Sequence, residues 1–146
     1  MIKLRVEGKA TTKQRQRFDP RTKRAYTPGS NIINEMDVRR VWEQEGKPRI
    51  EDKTAIAINL TIVVARSDSH FRKNGELSAE GLRHPYPENK KPDVDNALKL
   101  VMDALNTRAY KDDVQIVKAS VRRIWGEWPY TDIEISEVVN PFIPHG

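Results

Sequence analysis

Lys90-Lys91-Pro92-Asp93-Val94-Asp95-Asn96-Ala97-Leu98-Lys99-Leu100-Val101-Met102-Asp103-Ala104-Leu105, closed by Asp112-Asp113, is the stretch whose reading decides this chain. It holds five carboxylates in a protein of net charge +5, so acid is concentrated here against a basic background. Pro92 disfavours helix for the residue before it and suits a helix start; Val94, Leu98, Val101 and Leu105 then recur at spacings of four, three and four. That spacing predicts a helix with one apolar stripe. Asp95, Lys99 and Asp103, at i, i+4 and i+8, fall on a neighbouring stripe, and Asp93 projects from the first turn.

Two carboxylates held together by a helix start repel each other, and a hard cation such as Mg2+ relieves that repulsion while keeping several of its waters. A third acid completes such a site. Asp112 or Asp113 is placed to supply it if the strand that follows turns back alongside the helix. A phosphodiester is the substrate this chemistry suits, because metal ions activate water and neutralise charge on the attacked phosphate. Lys99 adds a positive charge for the same oxyanions. Each group also has a plainer reading. Asp93 and Asp95 suit a helix cap, Asp95 and Lys99 an i,i+4 surface pair, Asp112-Asp113 a turn, and Asn96 a first helical turn. Asp103, two turns beyond Asp95, is expected outside the direct ligands, holding Lys99 or another basic residue.

Upstream, Ile56, Ile58, Leu60, Ile62 and Val64 alternate with Ala57, Asn59, Thr61 and Val63, the strongest strand signal and the expected central strand. Ile2, Leu4 and Val6 predict a half-buried first strand. Gly8 to Gly29 reads as a basic loop or hairpin, and Ser30 as the cap of a helix from about Asn31 to Glu45, ended by Gly46-Lys47-Pro48. Ser67 to Asn89 reads as a long loop with a short helix, placed for substrate contact. Downstream, strands are expected from about Gln115 to Ile124 and from Thr131 to Val139, joined by a turn at Gly126 and Pro129. Ile133 and Ile135 face inward in the second of these. Asn140 to Gly146 is expected to be extended.

The whole 146 residues are read as one domain, with 37% hydrophobic and 32% charged residues giving a modest core under a highly charged surface. With no cysteine there are no disulfides, thiolate zinc sites or cysteine nucleophiles. His70, His84 and His145 lack ligand spacing, which argues against zinc. No phosphate-cradling glycine loop or nucleophile elbow is present. No apolar run approaches a membrane span, and the expectation is a soluble, cytoplasmic protein. Trp42, Trp125 and Trp128 read as core or interface residues. Residues 1 to 26 carry nine Lys and Arg against Glu7 and Asp19, a surplus of seven positive charges. Lys13, Arg15, Arg17, Lys23 and Arg24, interleaved with Gln14, Gln16, Phe18 and Tyr26, suit phosphate contacts and base stacking. The plainer reading of that run is a solvated segment.

Lys91-Pro92-Asp93-Val94-Asp95-Asn96 with Lys99, then Asp103-Ala104-Leu105-Asn106 and Tyr110-Lys111-Asp112-Asp113-Val114-Gln115-Ile116, resembles the RusA-type Holliday junction resolvases. Lys13-Gln14-Arg15-Gln16-Arg17-Phe18 and Tyr26-Thr27-Pro28 are similar to a basic Lys-Gly-Arg-Pro-Arg-Phe and a Tyr-Thr-Pro pattern in many members, with Gln14 and Gln16 departing from it. Ser67 to Asn89 is unmatched. The resemblance implies an α+β fold with a mixed sheet flanked by helices, a homodimer, and Mg2+-dependent paired cleavage of four-way junction DNA in recombination and repair, Mn2+ being a substitute. It implies Asp93, Asp95 and Asp113 as metal ligands, with Asp112 the alternative to Asp113, and Lys99 as the charge stabiliser. Lys13, Arg15, Arg17, Lys23, Arg24, Arg72, Lys73, Arg83, Lys90 and Lys91 are the expected DNA contacts. The family is often prophage-borne. The rival expectations are a junction-binding protein without catalysis and a metal-dependent nuclease of broader substrate range.

Overall fold

Alternating side chains build the strands and helical spacing builds the layer above them. In chain order the elements are β1 (Ile2–Glu7), β2 (Arg17–Asp19), β3 (Arg24–Tyr26), α1 (Glu35–Gln44), β4 (Ile56–Ala65), α2 (Ala79–Arg83), α3 (Val94–Leu105), β5 (Ile116–Gly126) and β6 (Tyr130–Glu137). Short 3-10 turns cover Asp68–His70 and Asp113–Gln115. The computed structural model describes residues 1–8, 34–88 and 93–139, together with the backbone alone of 17–19 and 24–26.

Four strands form a mixed sheet in the order β1-β6-β4-β5; β4 pairs parallel with β5 and antiparallel with β6, and β1 closes the far edge antiparallel to β6. The parallel pair needs a crossover, which the segment carrying α2 and α3 supplies. One sheet face presents Leu4, Val6, Ile56, Ile58, Leu60, Ile62, Ile133 and Ile135, all buried, to Val38 and Trp42 of α1 and to Ala97, Leu100, Val101, Ala104 and Leu105 of α3. The other face is polar: Arg5 clasps Asp132 at 2.7 and 3.0 Å, and Arg122 donates to the Thr61 hydroxyl at 3.0 Å. The result is the expected α+β domain, with β4 at the centre and Ile133 and Ile135 inward. Strands β2 and β3 pair antiparallel as a separate two-stranded sheet, so the basic arm contains a hairpin. Among the described residues no helix is long and apolar enough to cross a membrane.

Several expected boundaries move, each for a local reason. Helix α1 starts at Glu35 and not near Asn31, because Asn34 caps it: its Oδ1 accepts the Asp37 N–H at 3.1 Å and Asp37 Oδ2 accepts the Asn34 N–H at 2.8 Å. Ser30 lies outside the described residues. Strand β5 starts after Gln115, which belongs to the preceding 3-10 turn, and runs on to Gly126, while β6 spans Tyr130–Glu137. The apolar stripe of α3 is also rotated. Val94 is 44% exposed and Leu98 only partly buried, and the face on the sheet is Ala97, Leu100, Val101, Ala104 and Leu105. Small Ala97 and Ala104, not the larger Val94, set the contact because they let the helix approach.

Candidate active site

Asp93 is the residue before the first turn of α3, with extended backbone (φ −66°, ψ 151°), yet its side chain makes no capping bond. Its backbone carbonyl accepts the Ala97 N–H at 3.0 Å, and its Oδ2 takes a long bond of 3.4 Å from the Asn96 amide. Asp95 and Lys99 are both exposed on α3 and form no ion pair with each other. Neither the cap nor the i,i+4 pair that an ordinary helix start would use is therefore made by these side chains.

Asp112 and Asp113, adjacent in sequence, are put to different uses. Asp112 caps the 3-10 turn, its Oδ1 accepting the Val114 N–H at 3.2 Å. Asp113 is partly buried, and its Oδ1 is out of contact with solvent and has no hydrogen-bond partner. Such an atom carries the desolvation penalty of a carboxylate without compensation. Burial first, then the negative charges of Asp103 and Asp112, push the Asp113 carboxyl above the ordinary carboxylate range, with the neighbouring Tyr110 phenol acting in the opposite direction. Tyr110 is fully buried and donates to the Met102 carbonyl at 3.1 Å. Burial, followed by Asp113, Asp103 and Asp112, drives its phenol far above the usual range. Tyr110 thus joins the last turns of α3 to the acidic turn, and Asp103 lies close enough to Asp113 to oppose its ionisation.

Of the expected ligands, the structure gathers Asp112 and Asp113 with Asp103. Among the described residues no three His, Cys, Asp or Glu side chains converge tightly enough to hold an ion by themselves. The donor chemistry nonetheless fits a hard cation. A buried carboxylate oxygen without a partner, facing further negative charge, is relieved by positive charge, and Mg2+ needs only one or two carboxylates because it keeps its waters.

The expected DNA contacts divide. Arg72 and Lys73 sit exposed on a tight turn closed by the Phe71–Leu77 bridge, and neither forms an ion pair among the described residues. Arg83 pairs loosely with Glu80 at 3.7 Å. Arg17 and Arg24 face neighbours across the hairpin in backbone pairing to Tyr26 and Asp19. Lys13, Arg15, Lys23, Lys90 and Lys91 lie outside the described residues. The segment from Ser67 is no open loop over 67–88. Trp125 Nε1 donates to the His84 carbonyl at 2.8 Å, Arg123 to the Pro87 carbonyl at 3.1 Å and Arg66 to the Gly81 carbonyl at 3.1 Å. His70 stacks on His84 and meets Trp125 edge-on, a cluster with no trace in the sequence spacing. Sequence reasoning also gave Tyr110 and Gln115 no role. Asp112-x-x-Gln115 has the spacing of a capping box, and that signal was available.

An α+β domain with a mixed sheet and a carboxylate cluster where a helix meets the start of an edge strand is the class this structure defines. Residues 7–136 match the family model of Endodeoxyribonuclease RusA, and the chain belongs to that family. It is also similar to "Uncharacterized protein YqaN" of Bacillus subtilis (strain 168), with 42% identity over 73 residues. That match covers 50% of this chain and 49% of YqaN, so the chain aligns with about half the length of this curated relative.

Proposed function

We propose that the protein is a Mg2+-dependent endodeoxyribonuclease that resolves four-way DNA junctions by paired, symmetric phosphodiester hydrolysis, acting as a homodimer. Membership of an endodeoxyribonuclease family supports the reaction class. The observation that carries the site is the buried, unpartnered Oδ1 of Asp113 amid further acids.

Asp93, Asp95 and Asp113 would hold the ion. Asp113 is preferred to Asp112 because Asp112 spends an oxygen on the Val114 N–H. A bound Mg2+ supplies a Lewis acid for the phosphate and a more acidic water. Lys99, exposed on α3 one turn after Asp95, places its ammonium where charge develops on the phosphate oxygens. Arg72 and Lys73 at their turn, Arg83, and the basic side chains of the arm and of Lys90-Lys91 hold the DNA backbone. A four-way junction is nearly two-fold symmetric and its resolution requires two cuts, which a C2 pair of sites matches.

The test is cleavage of a synthetic four-way junction by the purified chain with Mg2+, with Mn2+ and with EDTA. The reading expects nicks at symmetry-related positions with either ion and none in EDTA. Cutting that survives EDTA, or that favours linear duplex or flap over the junction, counts against it.

A further inference from the structure

The acidic turn is clamped by a side chain that the proposed chemistry leaves unused. Gln115 is 8% exposed, and its amide fills all four of its hydrogen-bonding positions. Oε1 accepts the N–H groups of Lys111 at 2.9 Å and Asp112 at 3.2 Å; Nε2 donates to the carbonyls of Glu51 and Thr54, each at 3.1 Å. The peptides directly before Asp113 are thereby fixed to the loop that leads into β4, the sheet's central strand. That loop is itself under tension. Its turn closes with Thr54 N–H to the Glu51 carbonyl at 3.3 Å, and Lys53 is held in the left-handed region at φ 68°.

We propose that Gln115 is a positioning residue: by locking the Lys111 and Asp112 peptides to the β4 loop, it aims the Asp113 carboxylate at its cation and sets the affinity for that ion. This rests on the reading of Asp113 as a metal ligand. Its acceptor is spent on the two peptides that precede the acid, while its amide N–H groups tie that turn to the β4 loop. The backbone leading into Asp113 is thereby fixed, with the Asp113 Oδ1 buried and without a protein partner. Groups that orient ligands in this way set metal affinity although they never touch the ion.

Gln115→Met keeps the length and removes all four bonds. On the full chain, Mn2+ binding is followed through the electron paramagnetic resonance signal of the free ion. Melting is measured in EDTA, and junction binding is measured in EDTA by gel shift. Gln115→Met is expected to weaken Mn2+ binding about 10–100-fold, and to raise the Mg2+ concentration for half-maximal cleavage by a similar factor. Saturating Mg2+ should recover most of the rate, and metal-free junction binding should be unchanged. Lys53→Gly, which relieves the left-handed strain, is added in the same background to restore the melting temperature without restoring Mn2+ affinity. It also supplies the assayable form where Gln115→Met alone melts too low. Unchanged Mn2+ affinity in Gln115→Met, or affinity that returns together with the melting temperature, would overturn the proposal. Wild-type protein that binds Mn2+ through Asp113 and still leaves junctions uncut would contradict the resolvase reading alone. Wild-type protein that binds Mn2+ no better than Asp113→Asn would overturn both.

Discussion

Asp112 and Asp113 are identical in type and adjacent in the chain, yet the Asp112 carboxylate accepts a capping bond while the Asp113 Oδ1 is buried without a partner. Asp112→Asn keeps a side-chain oxygen for the Val114 N–H, so folding stability should change by less than about 0.5 kcal/mol and cleavage should survive. Asp113→Asn should abolish Mg2+-dependent cleavage. Its effect on the metal-free protein has a definite sign. The Asp113 carboxyl is raised on folding, so the stability it contributes is present at low pH and is lost as pH rises through its folded value. In EDTA near neutral pH, Asp113→Asn should therefore melt higher than wild type, and the gap should close as pH falls into the ordinary carboxylate range. Mg2+ should raise the wild-type melting temperature and leave that of the variant where it was. Thermal melts across pH with and without Mg2+ check each part.

Elements place these residues, and here the sequence was legible unevenly. The β4 alternation, the helix after Pro92 and the inward Ile133 and Ile135 were all readable, because a repeating period is a local property of the chain. The buried face of α3 was readable in part: Val101 and Leu105 are buried as their spacing implies, but Val94 and Leu98 fit that spacing as well as Ala97 and Ala104 do, and only the sheet's position selects between them. The start of α1 after Asn34 was readable in principle, since Asn34 has Asp37 three residues on to return the capping bond whereas Ser30 has Ile33 there. Asn34→Ala should lower folding stability by about 1 kcal/mol, read from the urea midpoint at constant m-value. The ordering of residues 67–88 was invisible because its anchors come from Arg123 and Trp125, far along the chain. Trp125→Phe keeps most of the ring but deletes the bond to His84, and should speed proteolysis within this segment while changing global stability by about 1 kcal/mol. Equal proteolysis rates would mean that Arg66 and Arg123 suffice to hold it.

Along the chain, residues 1 to 26 carry a surplus of seven positive charges, while five acids fall between Asp93 and Asp113. The acid types and their spacing were legible. The approach of Asp103 to Asp113 and the clamp by Gln115 were not, since both arise from α3 and the β4 loop folding against one turn. A basic chain that grips a phosphate backbone should lose affinity steeply with salt, and metal-free junction binding titrated against KCl should show a negative, linear log–log slope. The measurement that tests the central claim most directly is cleavage of a four-way junction beside a matched linear duplex, with Mg2+ and with EDTA, by wild type and Asp95→Asn. The account predicts paired, symmetric nicks confined to the junction, requiring Mg2+ and lost in Asp95→Asn, which still binds the junction at least as tightly because a repulsive charge has gone. Junction binding without cutting under any metal, or undiminished cutting by Asp95→Asn, would contradict it and return the acids of α3 to a structural role.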